Sequence, residues 1–406
     1  MSPDYDVVII GAGMVGASLA CAIAPSGLRI GIIESIALGS DQQPSYDDRG
    51  ITLSPSSKRI LERINVWQQM QSTTTAIKKI HISDQGRFGF THLDAAELGR
   101  SELGHVVVAR SLGQALHRQM SSFDNVDLIC PAELKHFQKT DSAITLEITR
   151  DNKTESITAG LLVGADGSRS LVRRLAGINT KENDFKQTAI VANVTTQKPN
   201  NATAYERFTS HGPVALLPID TNRSVLVFTV DKENTDRYLS MSDEHYIKAV
   251  ENEFGRRLGK IEQVGQRRSY PILFIEAVEQ YQEQLILLGN AAHSIHPNAA
   301  QGFNLGLRDV AGLAECIFTG IEKGQATGDI SILENYIKLR IADQQRVMNF
   351  TNRLASSFYN ELPLLSSTRN MAMLLLDFMP DLKTSFVEKT MGIAGLQPRL
   401  VRGEVL

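Results

Sequence analysis

The sequence predicts an α/β protein in which a Rossmann-like nucleotide-binding domain carries an inserted β-sheet domain and C-terminal helices. Three observations point there: a strand, glycine turn, helix and second strand over residues 6–34, a second glycine-rich turn opening a helix at residues 289–309, and strand-type alternation between them. Two such helix entries, about 290 residues apart, suggest an extended cofactor gripped from both ends.

Residues 6–34 read DVVIIGAGMVGASLACAIAPSGLRIGIIE. The apolar run to Ile10 is a buried strand, and Gly11-Ala12-Gly13-Met14-Val15-Gly16 is a GxGxxG turn entering a helix. Gly11 permits the tight turn, Gly13 lets the backbone approach a pyrophosphate, and Gly16 lets helix and strand pack closely. Glu34, 18 residues after Gly16, stands where an acidic side chain accepts ribose hydroxyls. A glycine turn serving backbone geometry alone would leave that acidic strand end unexplained.

Residues 158–174, TAGLLVGADGSRSLVRR, are another apolar strand, stopping at Gly164, then a turn at Asp166-Gly167 and a basic helix start. Residues 285–289, LILLG, form a short apolar strand; Pro297 and Gly302 punctuate the loop after it, and residues 304–314 open a helix. Unpaired N–H groups and a partial positive charge at that helix start suit phosphate or an electron-rich carbonyl. His293 and His296 flank this loop without a neighbouring carboxylate or third ligand, so they read as packing or positioning residues and no metal is expected.

Strand-type alternation at residues 77–90, 188–195 and 223–230 suits a sheet lying over the cofactor, and helical patterns occupy 242–258 and dominate after Ile332. The expected division is a discontinuous cofactor domain of residues 1–75, 101–180 and 275–345, a sheet domain of 76–100 and 181–274, and a helical segment of 346–406. Arg340 and Arg346 read as a charged helix face. Residues 370–379, NMAMLLLDFM, read as a helix closing the core, with a membrane surface or a partner as the functional alternative.

At 406 residues the chain exceeds one ordinary core, and 42% hydrophobic with 21% charged residues indicates a globular protein. A net charge of −3 gives no general pull toward nucleic acid, which is not expected as a partner. Cys21, Cys130 and Cys316 are widely spaced in apolar surroundings, which suits a reducing compartment. The first apolar run is the first strand rather than a signal peptide, and no run of 18 apolar residues occurs, so a cytoplasmic location is expected.

In order, GxGxxG, GADG and GNAAHSIHP span residues 6–309, about three quarters of the chain, and resemble the three motifs of the single-component flavin-dependent aromatic hydroxylases, the para-hydroxybenzoate hydroxylase group. Residues 289–309, AYERFTSHGP at 204–213 with LLP at 216–218, and GIAGLQPRLVRG at 392–403 are similar to the ubiquinone-biosynthesis branch, specifically to hydroxylases of polyprenylated methoxyphenols. Asn290 stands where most of the wider group has Asp, and Ala300 where many have Gly; Asn keeps an acceptor and loses the charge.

The resemblance implies a glutathione-reductase-like fold binding FAD, with NADPH or NADH as transient reductant and O2 as oxidant. Reduced flavin would combine with O2 to a C4a-hydroperoxide whose distal oxygen passes to the phenol ring, taking a 2-polyprenyl-6-methoxyphenol to the 1,4-benzoquinol. Gly11, Gly13, Met14, Val15, Gly16 and Glu34 would hold the ADP half. Arg49 and Arg110 would contact phosphate or ribityl oxygens, or be ordinary surface arginines, and Asp166 and Asn290 would hold the pyrophosphate–ribityl region. Gly302, Phe303 and Asn304 would turn backbone N–H groups to the flavin N1–C2=O edge, and Pro297 would lie against the ring. Tyr205, Arg207 and His211 would face the phenol, or fill the polar side of a strand. A lipid-like substrate would place the protein peripherally on the inner membrane, with other ubiquinone-biosynthesis proteins as partners. A small soluble aromatic substrate, and a flavin-bound assembly role with little turnover, stay open, as does oligomeric state.

Overall fold

The computed structural model describes residues 3–37, 40, 49–86, 90–297, 300–359, 384, 392 and 395–406, with the backbone alone for 355–359. The apolar segment at 370–379 lies outside these residues.

The first of three sheets has eight strands. Its parallel centre is β1 (Tyr5–Ile10) between β2 (Ile30–Ile33) and β11 (Lys153–Gly164), extended by β8 (Val126–Ile129) and β19 (Leu285–Leu287). Strands buried on both faces need near-continuous apolar runs, and Val7, Val8, Ile9 and Ile10 are all buried. On one face pack the helices α1 (Met14–Ile23), α3 (Ala109–Met120) and α7 (Gly302–Glu322). On the other lie α4 (Leu171–Leu175) and the antiparallel pair β9 (Glu133–Lys139) and β10 (Ile144–Arg150). A short β18 (Tyr281–Gln282) closes the edge.

The second sheet has nine strands, in the order β20 (His293–Ser294), β17 (Arg268–Ala277), β12 (Thr180–Thr196), β15 (Arg223–Asp231), β14 (Gly212–Pro218), β13 (Thr203–Thr209), β5 (Lys79–Asp84) and β6 (Phe90–Asp94), with β16 (Ile261–Val264) beside β12. One face buries Leu216, Leu226 and Phe228 against Tyr246, Val250 and Phe254 of α6 (Asp243–Phe254), which follows α5 (Thr235–Ser240). The opposite face is turned to the interior of the molecule. A small antiparallel sheet, β3 (Gly50–Leu53), β7 (Gly104–Val108) and β4 (Thr75–Ile77), lies across it, followed on β3's side by α2 (Pro55–Arg63). The run at 77–90 is thus split: Ile77 ends β4 in the small sheet, and β5 starts two residues later in the large one.

The long α8 (Ile330–Tyr359) packs on α7 through charge. Arg308 Nε meets Asp343 Oδ2 at 2.9 Å, Arg340 Nε meets Asp309 Oδ1 at 3.0 Å, and Arg340 Nη2 meets Asp343 Oδ2 at 2.8 Å. Arg308, Arg340 and Asp309 are all 0% exposed. Arg340, expected on a charged surface face, is therefore a core residue, while Arg346 is 40% exposed beside the same Asp343. The expectation failed because a helix of this length has its wet face chosen by its neighbour: Asp309 of α7 and Asp343 one turn along α8 give the Arg340 guanidinium two carboxylate partners in the interior. The last helix, α9 (Arg399–Arg402), returns to α2 and α7, where Glu315 accepts the Arg399 N–H at 2.7 Å.

Breaking a buried ion pair strands its partner in a medium that cannot solvate it. Arg340→Met is expected to lower the unfolding free energy of the FAD-loaded protein by about 3–5 kcal/mol in a urea titration. Lys338→Met, which removes only the exposed pair with Glu334, is expected to cost less than about 0.5 kcal/mol.

Candidate active site

The first glycine loop has the geometry its glycines demand. Gly11 sits at φ +103, and a β-carbon there would come 2.7 Å from the Ala165 carbonyl oxygen. A β-carbon on Gly16 would lie 2.0 Å from the Gly11 oxygen, so helix and turn touch only because it is absent. Gly13 caps α1 in an extended conformation. The Glu34 carboxylate accepts the Ala12 N–H at Oε2 and the Ile36 N–H at Oε1, both at 2.8 Å, so it also ties the loop to the end of β2. His117 of α3 braces the loop from behind, its Nε2 2.9 Å from the Ala12 oxygen.

The middle loop carries Asp166 at the end of β11. Its Oδ2 accepts the Leu171 and Val172 N–H groups at 2.6 and 3.1 Å, and its buried Oδ1 has no protein partner. Arg173 reaches out of α4 to donate to the Ala291 and Ser168 oxygens, each at 2.8 Å, fastening the middle loop to the third.

In the third loop Gly289 is at φ +56, and Val15 of the first loop packs against it and against Gly306 of α7; β-carbons on those glycines would approach Val15 to 3.1 and 3.0 Å. The two glycine-rich grips therefore meet through Val15. Asn290 is exposed between buried Gly289 and Ala291, which turns its side chain outward into the cavity it lines. His293 is 2% exposed with Nε2 2.6 Å from Asp309 Oδ2, and buried His296 packs edge-on against Phe185 at 4.8 Å, its Nε2 3.4 Å from Gln187 Oε1. Ala300 holds φ +49, a left-handed conformation costing a residue with a β-carbon about 1 kcal/mol.

These loops and the inner face of the large sheet enclose one cavity of about 1000 Å3. Gly11, Gly13, Met14, Val15, Glu34, Arg49, Asp166, Asn290, Pro297, Gly302, Phe303 and Tyr205 line it; Gly16 lies behind the loop. The Asn304 side chain is turned away: Oδ1 accepts from the Ser54 N–H at 2.8 Å and Ser57 Oγ at 2.6 Å, while Nδ2 donates to the Thr52 and Ala300 oxygens. It fastens β3 and α2 to the start of α7, and Asn304, expected at the cofactor, is not among the residues that line the cavity. Arg49 lies over the Tyr270 ring at 4.5 Å, bridging β3 and the large sheet. Arg110, in the first turn of α3, is not brought to the cavity wall.

Of the residues expected at the substrate, Arg207 and His211 do not reach the cavity. Arg207 Nη1 donates to the Phe254 oxygen at 2.7 Å on the α6 side of the sheet, and His211 pairs at 2.9 Å with Asp231 at the exposed end of a hairpin. Tyr205 borders the cavity, yet its ring packs edge-on against Phe254 at 6.0 Å. Along β13 the residues one step over, Ala204 and Glu206, have the inward face. Sequence reasoning also missed Tyr270 and His117, which carry no motif, and gave Arg173 of the middle motif no role of its own; all three matter through cross-strand or cross-loop neighbours.

The donors and acceptors suit FAD. A glycine cradle without β-carbons, an orphaned Asp166 oxygen and an outward Asn290 amide stand along one wall, and the N-terminal turn of α7 brings Gly302 and Phe303 to its end, where a helix start favours negative charge. Fold and site together define an FAD-dependent monooxygenase. The family model described as FAD binding domain matches residues 4–351. Ubiquinone hydroxylase UbiL of Rhodospirillum rubrum is 33% identical over 401 residues, covering 98% of this chain and 92% of that protein. The 3-demethoxyubiquinol 3-hydroxylase of Escherichia coli is 29% identical over 391 residues, covering 96% and 98%. Among solved structures, p-nitrophenol 4-monooxygenase PnpA of Pseudomonas putida superposes with a TM-score of 0.79 at 18% identity, over 96% and 98% of the two chains. The chain belongs to the FAD-binding-domain family of flavin monooxygenases, in the branch that holds the ubiquinone hydroxylases. It is an enzyme that uses FAD, with NAD(P)H and O2 as co-substrates.

Burial alone would raise the Asp309 carboxyl, but His293 and Arg340 beside it outweigh that and hold it down at about 2. A depressed carboxyl contributes stability above its unfolded value of about 4, and the contribution is lost as pH falls toward 2. His293→Leu removes one of the attractions, so the acid midpoint for flavin release, followed by flavin fluorescence, is expected to rise by about one pH unit. Gly16→Val is expected to yield protein without yellow colour, because the new side chain occupies the Gly11 carbonyl.

Proposed function

We propose that this flavin hydroxylase of ubiquinone biosynthesis acts on a polyprenylated methoxyphenol, taking a 2-polyprenyl-6-methoxyphenol to the 1,4-benzoquinol. One observation carries the reading: the cavity that begins at the glycine loops continues, without a break, along the inner face of the large sheet, where its wall is mainly aliphatic. A hydroxybenzoate would need a cationic anchor on that face. The wall instead offers Ala189, Val191, Ala215, Leu217 and Val227, with Thr229 and the acidic Glu206 as its polar members.

When bound, FAD supplies the reduction by NAD(P)H and the activation of O2. The chain's own residues supply position and shelter. Pro297 and Phe303 form the wall at the ring end, the start of α7 favours the negative charge that reduction brings, and the aliphatic lining keeps out water that would divert the reaction to peroxide. Tyr270, held by Arg49, gives the phenol ring an aromatic surface between the cofactor loops and the sheet. A lipid substrate also suits a peripheral membrane position; among the described residues no helix is long and apolar enough to cross a membrane.

The test is product analysis after anaerobic reduction and admission of oxygen. A hydroxylated product is expected from the prenylated methoxyphenol, with NAD(P)H consumption matching it. If bound flavin reoxidises with no product from that phenol, while a hydroxybenzoate is hydroxylated, the substrate assignment is wrong.

A further inference from the structure

The inner face of the large sheet has a direction, and it runs away from the flavin end. Across the strands, Tyr270 of β17 pairs with Ala189 of β12, Ala189 with Thr229 of β15, and Val227 of β15 with Ala215 of β14. Beyond Ala215 the cavity turns to Leu217 at the end of β14, to Ala204 of β13, and to Ile80 of β5, which pairs with Ala204. β20, the neighbour of β17, belongs to the loop that carries Pro297, so the Tyr270 end is the ring end. From β17 to β5 there are five strand spacings, about 24 Å along the sheet. That is several times the width of one phenol ring.

The path is also shaped. Ala189, Ala215 and Ala204 alternate along it with the larger Val227, Leu217 and Ile80. Its roof is β3, which can approach because Gly50 has no side chain: a β-carbon there would come 2.9 Å from Val225. Ile77 of β4 completes the far end. Glu206, the acidic residue on this wall, pairs across to Ala215 in the row that the path leaves. A mainly aliphatic groove of this length, with Thr229 and Glu206 as its polar members and the aromatic surface of Tyr270 at its start, fits a branched hydrocarbon chain joined to a ring.

We propose that this groove is the seat of the isoprenoid tail, entered at Ala189, continued over Ala215 and ended at Ala204 and Ile77, and that the space left at these alanines sets how many isoprene units contribute to recognition. The proposal rests on the polyprenyl reading above and adds where the tail lies and which residues measure it.

The experiment uses the FAD-loaded enzyme and methoxyphenols bearing zero, one, two and three isoprene units, with farnesol as a tail without a ring. For the wild type, kcat/KM is expected to rise at least tenfold over the series, and farnesol to inhibit competitively. Ala215→Phe is expected to stop the rise after the first unit and to weaken farnesol at least tenfold; Ala204→Phe, farther along, stops it one or two units later. Ala215→Leu gives the same order with a smaller step and replaces the phenylalanine variant if that one fails to hold flavin. Breakpoints in the order of the residues along the sheet are a signature that general damage to the fold does not produce. The proposal is overturned if both phenylalanine variants keep the wild-type dependence on tail length and the wild-type affinity for farnesol, or if the wild-type series is flat and farnesol does not compete. If the wild type hydroxylates none of these phenols yet binds farnesol in a manner that Ala215→Phe abolishes, the groove stands and the substrate reading falls.

Discussion

The structure depends on two buried arginines finding two buried aspartates. Arg308 and Asp309 stand side by side on α7, Arg340 and Asp343 one turn apart on α8, and each guanidinium takes a carboxylate of the facing helix. Isolated, any of these charges would cost several kcal/mol in the interior; as two crossed pairs they offset one another and leave α7 and α8 little freedom to slide. Gln344 adds a donor to Asp309 at 3.0 Å and reaches Gln280 at 2.9 Å, so the turn before β18 is held as well. Gly392 lies so close to the Arg308 guanidinium that a β-carbon would come within 2.2 Å of it.

The consequence reaches the site through one histidine. Asp309 uses its second oxygen on His293, three residues after Asn290 and four before Pro297, so the charged core and the cofactor loop share a carboxylate. The start of α7 is fixed a second time by Asn304, which takes hydrogen bonds from the backbone of Ser54 and the hydroxyl of Ser57. Val15 then wedges the first glycine loop against the third, and Arg173 ties the third to the middle one. A cofactor that spans these loops meets one rigid surface assembled from three distant parts of the chain. The sheet does the opposite work: the face it turns to the cavity is mainly aliphatic.

The first glycine loop, the Asp166 turn and the glycine entry to α7 were legible in the sequence because each is a local device. A φ of +103 at Gly11 and the missing β-carbon at Gly16 are demands the chain meets within a few residues, and Glu34 follows at a distance set by one helix and one strand. Arg207 and His211 were misjudged for the converse reason. A strand has two faces, and which is inward depends on partners far along the chain: on β13 the inward set is Ala204 and Glu206, fixed by pairing with β5 and β14. The same ignorance hid Tyr270, whose value comes from Arg49 lying over it from another sheet.

The sequence alone determined the kind of cofactor, the order of the three loops that receive it, and the branch of hydroxylases the chain resembles, because those rest on short motifs whose geometry is set by neighbouring residues. Only the tertiary structure decided that Arg340 is buried instead of wet, that the Asn304 side chain serves the frame, and that the sheet wall of the cavity is mainly aliphatic. The physical reason is common to all three. Burial, pairing and strand facing are properties of two surfaces brought together, and a single chain written in one dimension states only one of them at a time.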